Sequence, residues 1–350
     1  MLFLLSISVN KSLAKTTIWC GCVGFDKDYL GDASDIYFHP NNWSNGFPGT
    51  GDLAIIPDAE TDPIITEIFG PHDIDYDLLI GSGATLNLND YVVIHSGYSV
   101  TIESGGFLYF NISGIMDVNG SLINNGVLTI GDGKYFIAGS TKLIIDNGTY
   151  TNNNFTFVHE DILINPNGHL VNNATFQVDA DPWGDDSYTS DDRVTNKGLF
   201  INGQDGEIQI TEGGVFYNEG YLLNSGTVLN DKDFWNKNSG VIDNEGLVTN
   251  KYAFKNTGTL NNTETFSNDA GTFENHLNTV NNTGEFILEN QGIYISTSSA
   301  AIFENTTSGI FTVEQSAWFL NNLGIFNNGG LFDNKGNFEN ASNFSNTGTL

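Results

Sequence analysis

The sequence predicts an all-β chain, a single-stranded parallel β-solenoid with three sides, about 18–20 residues per coil and an N-terminal cap. Three observations predict it. Between Phe216 and Asn268 an apolar residue recurs at every sixth position: Phe216, Leu222, Val228, Phe234 and, past a two-residue insertion, Ile242, Val248, Phe254, Leu260 and Phe266. Each is followed two residues later by Asn, from Asn218 and Asn224 through to Asn268. Every third apolar position of the run opens with Phe, at Phe216, Phe234, Phe254 and Phe273.

A period of six rules out a helix. At about 100° per residue, steps of six turn by about 240° and scatter the apolar residues over three sides of a helix. On extended chain every even offset points the same way, so Asn224, Gly226 and Val228 face inward while Ser225, Thr227 and Leu229 face out. Corners are expected at Asn-x-Gly, because Gly and Asn tolerate positive φ. Three hexads per coil then stack the four Phe in one column, each about 4.8 Å above the last. Inward Asn is costly alone, but stacked Asn side chains can bond from rung to rung and cap the backbone at the corners. Asn250→Leu is therefore expected to lower thermal stability.

Composition fits one elongated body. The chain has 350 residues, 39% hydrophobic and 12% aromatic, enough for a core along its length. Its 40 Gly and abundant Asn also suit a disordered prion-like tract, but such a tract has no reason to keep aromatics in phase with Asn. The formal net charge is −30 and Arg193 is the sole arginine, which excludes nucleic acid as a partner and disfavours anionic membrane surfaces.

Taken in order, residues 1–14 read as a signal peptide, with the apolar run Leu2–Val9 and a small-residue cleavage site at Ser12-Leu13-Ala14, although a basic n-region is missing; a buried strand is the alternative. No other apolar run is long enough for a membrane helix, so no membrane insertion of the mature chain is expected. Residues 15–76 form the cap region and 77–350 the solenoid. Cys20 and Cys22 lack the partners of a zinc site or a lipid-attachment box; in an exported protein they could pair, through a strained short loop.

The segment Asn42-Trp43-Ser44-Asn45-Gly46-Phe47-Pro48, continuing to Asp52 and Ile55-Ile56-Pro57, resembles the opening of secreted, adhesin-like parallel β-solenoid surface proteins of Bacteroidetes-type bacteria. The resemblance spans some twenty residues and implies location and architecture, with no catalytic residue to carry over. Trp43, Phe47, Ile55 and Ile56 are expected to plug the open end of the first coil.

Segments Leu78–Leu88 and Val100–Leu108 carry a looser alternation, and Met116, Val118, Leu122, Val127-Leu128 and Ile130 lead into the Asn register. Residues 179–192 interrupt it with Asp179, Asp181, Asp185, Asp186, Asp191 and Asp192, read as a loop projecting from one corner. Those carboxylates could hold calcium, although the EF-hand spacing is absent and a solvated acidic loop is the simpler reading. No other cofactor is expected. Trp183 and Tyr188 are the candidate partner-contact or sugar-stacking residues of the same loop. From Asn290 to Ser316 the register slips; it is expected to resume at Leu320, Phe326, Phe332, Phe338 and Phe344, with Asn322, Asn328, Asn334, Asn340 and Asn346. The chain stops within a hexad, so a truncated C-terminus and end-to-end self-association through the exposed strand edge are expected.

Two functional classes follow. One is an extracellular or cell-surface structural and adhesive rod without catalysis, contacting a cell-surface or glycan ligand. The alternative is a carbohydrate-active β-helix protein that binds, cleaves by elimination or hydrolyses polysaccharide. Elimination needs basic residues that this chain hardly has, and hydrolysis needs paired carboxylates in a groove, so the rod is preferred and no enzyme is expected.

Overall fold

The computed structural model describes residues 15–19, 43–58, 64–65, 72–88, 90–110, 114–130, 142–159, 161–179, 193–211 and 213–350. Among them every regular element is a β-strand, and the strands form three parallel sheets of 15, 13 and 13 members. The chain visits the sheets in turn. Here the 15-stranded sheet containing Tyr221–Asn224 is the first, the one containing Val215–Asn218 the second, and the one containing Thr227–Asn230 the third. Each strand pairs with its counterparts one coil away; Asp233–Asn236, for example, pairs with Val215–Asn218 and with Ala253–Asn256. The expected three-sided parallel β-solenoid is therefore the observed fold.

Strands are mostly four residues long, with the second and fourth side chains buried, as the period of two requires. Coil length varies. Stacked asparagines lie 18 residues apart from Asn218 to Asn236 and 20 from Asn236 to Asn256, but 30 apart from Asn172 to Asn202, where the acidic segment is inserted. The average of about 21 exceeds the expected 18–20 because such insertions enter at corners and leave the strands in register.

The predicted Phe column is present. Ring centroids of Phe216, Phe234, Phe254 and Phe273 are separated by 4.9, 4.7 and 5.3 Å with planes within 16° of parallel, and the column continues through Tyr294 and Phe319. Columns on different sheets meet edge to face, as Phe273 meets Phe286 at 5.2 Å and 87°. Burial of each ring is worth about 1.5–3 kcal/mol, with about 0.5–1.5 kcal/mol more for a favourable ring pair.

Beside these columns run ladders of buried amides. On the first sheet eleven asparagines hydrogen-bond head to tail without a break, Asn124, Asn152, Asn172, Asn202, Asn224, Asn244, Asn262, Asn282, Asn305, Asn328 and Asn346, at 2.6–3.0 Å. Asn244 shows the chemistry. Its Nδ2 donates to Asn262 Oδ1 at 2.7 Å and to the Thr265 carbonyl at 3.0 Å, while its Oδ1 accepts from Asn224 at 2.7 Å and from the Gly246 N–H at 3.4 Å. Both donors and both lone pairs are used, so an amide with no solvent exposure carries no unmet demand. A second ladder joins Asn196, Asn218, Asn236, Asn256 and Asn275, and a third joins Asn230, Asn250 and Asn268.

The corner glycines are needed for a different reason from the one the sequence suggested. Gly226 and Gly246 lie outside the left-handed region. A Cβ on Gly226 would sit 2.1 Å from the Gly206 carbonyl oxygen, and one on Gly246 would sit 2.2 Å from the Gly226 carbonyl oxygen. Stacked corners leave no room for a side chain, so the glycines form columns of their own. Positive φ occurs elsewhere, at Gly83, Gly97 and Gly105 and at Asn278 and Asn290.

Two local expectations are corrected. After the slip, Phe319 and Asn321 face inward and Leu320 and Asn322 outward, because the strand Trp318–Asn321 is offset by one residue and such an offset reverses every side chain. At the N-terminal end, Trp43 and Ile56 are buried and Phe47 packs against the core, but Ile55 points outward by the alternation of Leu53–Ile56. Trp19 and Tyr76 complete the plug: Trp19 meets Trp43 edge-on at 5.5 Å, and Phe47 bridges Trp43 and Tyr76 at 6.2 and 6.1 Å. The strand Leu53–Ile56 pairs with both Thr16–Ile18 and Asp77–Ile80, so one sheet runs from the cap region into the solenoid. The signal-peptide segment, Cys20 and Cys22 lie outside the described residues.

Candidate functional site

A core filled from Trp19 to Phe332 by apolar side chains and self-satisfied amides directs attention to the outward positions. On the second sheet one outward column reads Thr195, Tyr217, Trp235, Lys255 and Glu274 in register. Tyr217 and Trp235 have ring centroids 5.4 Å apart. Cations cover this aromatic pair: Lys237 Nζ is 3.9 Å and the Arg193 guanidinium 5.9 Å from the Tyr217 centroid, and Lys255 Nζ is 4.5 Å from that of Trp235.

Next to Trp235 lies a groove of about 400 Å³ lined by Glu219, Trp235, Lys237, Asn238, Ser239 and Thr257. The two-residue insertion noted between Phe234 and Ile242 builds it. Gly240 N–H closes a turn on the Lys237 carbonyl at 2.6 Å, which carries Asn238 and Ser239 outward as a shelf. Lys237 Nζ pairs with Glu219 at 3.2 Å. The Ser239 hydroxyl donates to the Glu219 carbonyl at 2.7 Å and the Thr257 hydroxyl to the Asn236 carbonyl at 3.0 Å, leaving both oxygens as acceptors toward the groove. Trp235 Nε1–H is buried without a hydrogen-bond partner among the described residues. An aromatic plate flanked by donors and acceptors on a rigid support can bind and orient a polar ligand. Sequence reasoning passed over Tyr217 and Trp235 because each follows an inward Phe; the same parity rule that placed Phe216 and Phe234 inside marks both as outward.

Of the residues expected at a calcium or partner site, only Asp179 lies within the described residues. Its carboxylate accepts from Gln177 Nε2 at 3.2 Å, and its carbonyl meets His159 Nδ1 at 3.0 Å. Asp181, Asp185, Asp186, Asp191, Asp192, Trp183 and Tyr188 fall outside the described residues, between the third-sheet strand Thr175–Val178 and the second-sheet strand Arg193–Asn196. Among the described residues no group of three or more His, Cys, Asp or Glu side chains is placed to hold a metal ion.

Nearer the N-terminal end of the second sheet, burial and then the charge of Asp146 hold the Asp117 carboxyl above the usual carboxylate range, while the Tyr91 hydroxyl donates to it at 3.3 Å. On the first sheet, the hydrogen bond from Tyr221 to Asp243, followed by burial, pushes the phenol up to about 12. No helix of the described residues is long and apolar enough to cross a membrane.

No protein-family model matches this sequence, and no curated protein sequence is similar to it. Among solved structures, the chain is similar to the crystal structure of a TibC-catalyzed hyper-glycosylated TibA55-350 fragment. The identity is 16% and the TM-score 0.35, over 83% of this chain and 92% of that one.

Proposed function

We propose that this protein is an extracellular or cell-surface rod that acts by extension and by repeated contact along its faces, without catalysis. The observation that carries the reading is the filled interior: Phe columns and saturated Asn ladders occupy the inward positions coil after coil, so chemistry is confined to shallow outward surfaces. The fifteen-stranded first sheet gives a body about 67 Å long at about 4.8 Å per strand. A surface of strongly negative net charge keeps such bodies apart from one another and from anionic lipid.

Surface display tests the proposal. Cells expressing the chain with its first fourteen residues should lose the rod to externally added protease, and an internal location protected from protease would overturn it. The alternative, a carbohydrate-active enzyme, has its best candidate acid in Asp117, whose raised carboxyl is the feature a proton donor needs. Release of reducing ends from polysaccharide that is abolished in Asp117→Asn would favour that reading over the rod.

A further inference from the structure

We propose that the groove beside Trp235 is a binding site for a neutral saccharide, seated with its C–H face against the indole and its hydroxyls on Lys237, Asn238, Ser239 and Thr257. This rests on reading the rod as a contact surface and names the contact.

Several independent features of the groove select that ligand class. Its size, about 400 Å³, suits a small polar molecule, small-molecule clefts spanning about 300–1,000 Å³. Its groups are mixed. Ser239 Oγ and Thr257 Oγ1 direct their protons to backbone carbonyls and present lone pairs, whereas Lys237 is a donor. A polyol, in which every hydroxyl both donates and accepts, answers such a set better than a carboxylate, a phosphate or a hydrocarbon.

Charge separates neutral from acidic sugars. Along the second-sheet face from Arg193 to Glu274, Arg193, Lys197, Lys237 and Lys255 stand against Glu219, Asp233 and Glu274, which nearly balances, and in the groove Lys237 is already neutralised by Glu219 at 3.2 Å. The whole chain at −30 repels a polyanion approaching from any side. A neutral glycan pays neither repulsion nor ion-pair disruption.

Lys255 is the internal competitor. Its ammonium lies 4.5 Å from the Trp235 centroid, over the ring face that a sugar would cover, at the end of a flexible four-carbon stem. Tyr217 occupies the opposite side, 5.4 Å away, so ligand entry requires Lys255 to swing aside. The geometry thus predicts opposite effects for two neighbouring substitutions, Trp235→Ala weakening binding and Lys255→Ala strengthening it.

The test is titration of the full chain, labelled with ¹⁵N-tryptophan, with cellotetraose, maltotetraose and a β-galacto-tetrasaccharide, using trigalacturonate for comparison. At least one neutral tetrasaccharide should shift the Trp235 indole resonance, assigned through Trp235→Phe, and leave that of Trp318 in place. Trp235→Ala should weaken that affinity about tenfold, equivalent to about 1.4 kcal/mol, and Lys255→Ala should strengthen it a few-fold. Absence of a shift with all three neutral probes overturns the proposal, as does stronger binding of trigalacturonate or a Lys255→Ala variant that binds more weakly. Small-angle scattering of the same samples reads the rod independently, so a rod of the stated length that fails to bind removes the saccharide site alone.

Discussion

Replacing Asn250 by Leu tests the amide ladders directly. Asn250 has no solvent exposure; its Oδ1 accepts from Asn230 at 2.7 Å, and its Nδ2 donates to Asn268 Oδ1 at 2.6 Å and to the Thr272 carbonyl at 3.2 Å. Leucine is close in size and more apolar, so transfer free energy alone favours the variant. The loss lies in what is left behind: one N–H of Asn230, one lone pair of Asn268 and the Thr272 carbonyl, all shielded from water. At about 2 kcal/mol, the middle of the usual range, for each of the three buried groups left unpaired, less about 2 kcal/mol returned by the leucine, a net destabilisation of about 4 kcal/mol is expected. Asn244→Leu should cost more, because Asn244 makes four such bonds within the unbroken eleven-member ladder. Urea unfolding followed by circular dichroism measures both, with Thr249→Leu on the outward face as the control for added hydrophobicity. Unchanged or increased stability in Asn250→Leu and Asn244→Leu would refute the reasoning, since an amide that can be removed without loss was not being used.

Other consequences can be measured on the same footing. Gly226→Ala places a methyl 2.1 Å from the Gly206 carbonyl oxygen, so it should destabilise by about 3 kcal/mol in urea; a neutral effect would mean the corners are looser than described. Removing Trp43 by Trp43→Ala takes away a side chain that is 3% exposed and holds Trp19 and Phe47 together, and should cost about 3–5 kcal/mol, read as an early transition of the N-terminal coils in hydrogen exchange. Asp117 has its folded-state pKa raised, by burial first and by Asp146 second, so its contribution to stability is full below the unfolded-state value and is lost as pH rises through the folded one. Asp117→Asn should therefore have a higher thermal midpoint than the parent at neutral pH, and the advantage should vanish in acid; a difference independent of pH would contradict the assignment.

Much of this fold was legible because the repeat acts twice on the same residues. Strand parity decides which side chains enter the core, and the three-hexad phrase decides which of them stack, so Phe216, Phe234, Phe254 and Phe273 could be aligned before any coordinates. Asn in the ladders was readable for the same reason. What escaped were features set by the third dimension. The role of Gly226 depends on how near one corner lies to the next, which periodicity does not encode. The offset at Trp318–Asn321 arises beyond corners where Asn290 and Gln291 take positive φ, at 48° and 73°, and a one-residue shift there cannot be read from the hexads that follow. Ile55 was misplaced by hydrophobicity alone, although parity with its neighbour Ile56 already excluded one of the two from the core. For the surface the sequence drew attention to charge density at 179–192, whereas the groove arises from an aromatic at an outward position beside a lengthened corner. The calcium reading rests on the acidic segment's sequence alone.

The coils stack strand upon strand along one axis. Spin labels at Thr101→Cys and Asn281→Cys, with Cys20 and Cys22 changed to Ser, probe it over a sequence separation of 180 residues. The two sites are linked through Ile123, Thr151, Val171, Ile201, Leu223, Asp243 and Asn261 on the first sheet. Eight steps of about 4.8 Å place them about 38 Å apart. A single narrow distance distribution near that value by double electron–electron resonance is predicted; a broad distribution, or a peak far from it, would contradict the stacked solenoid and everything built on its faces.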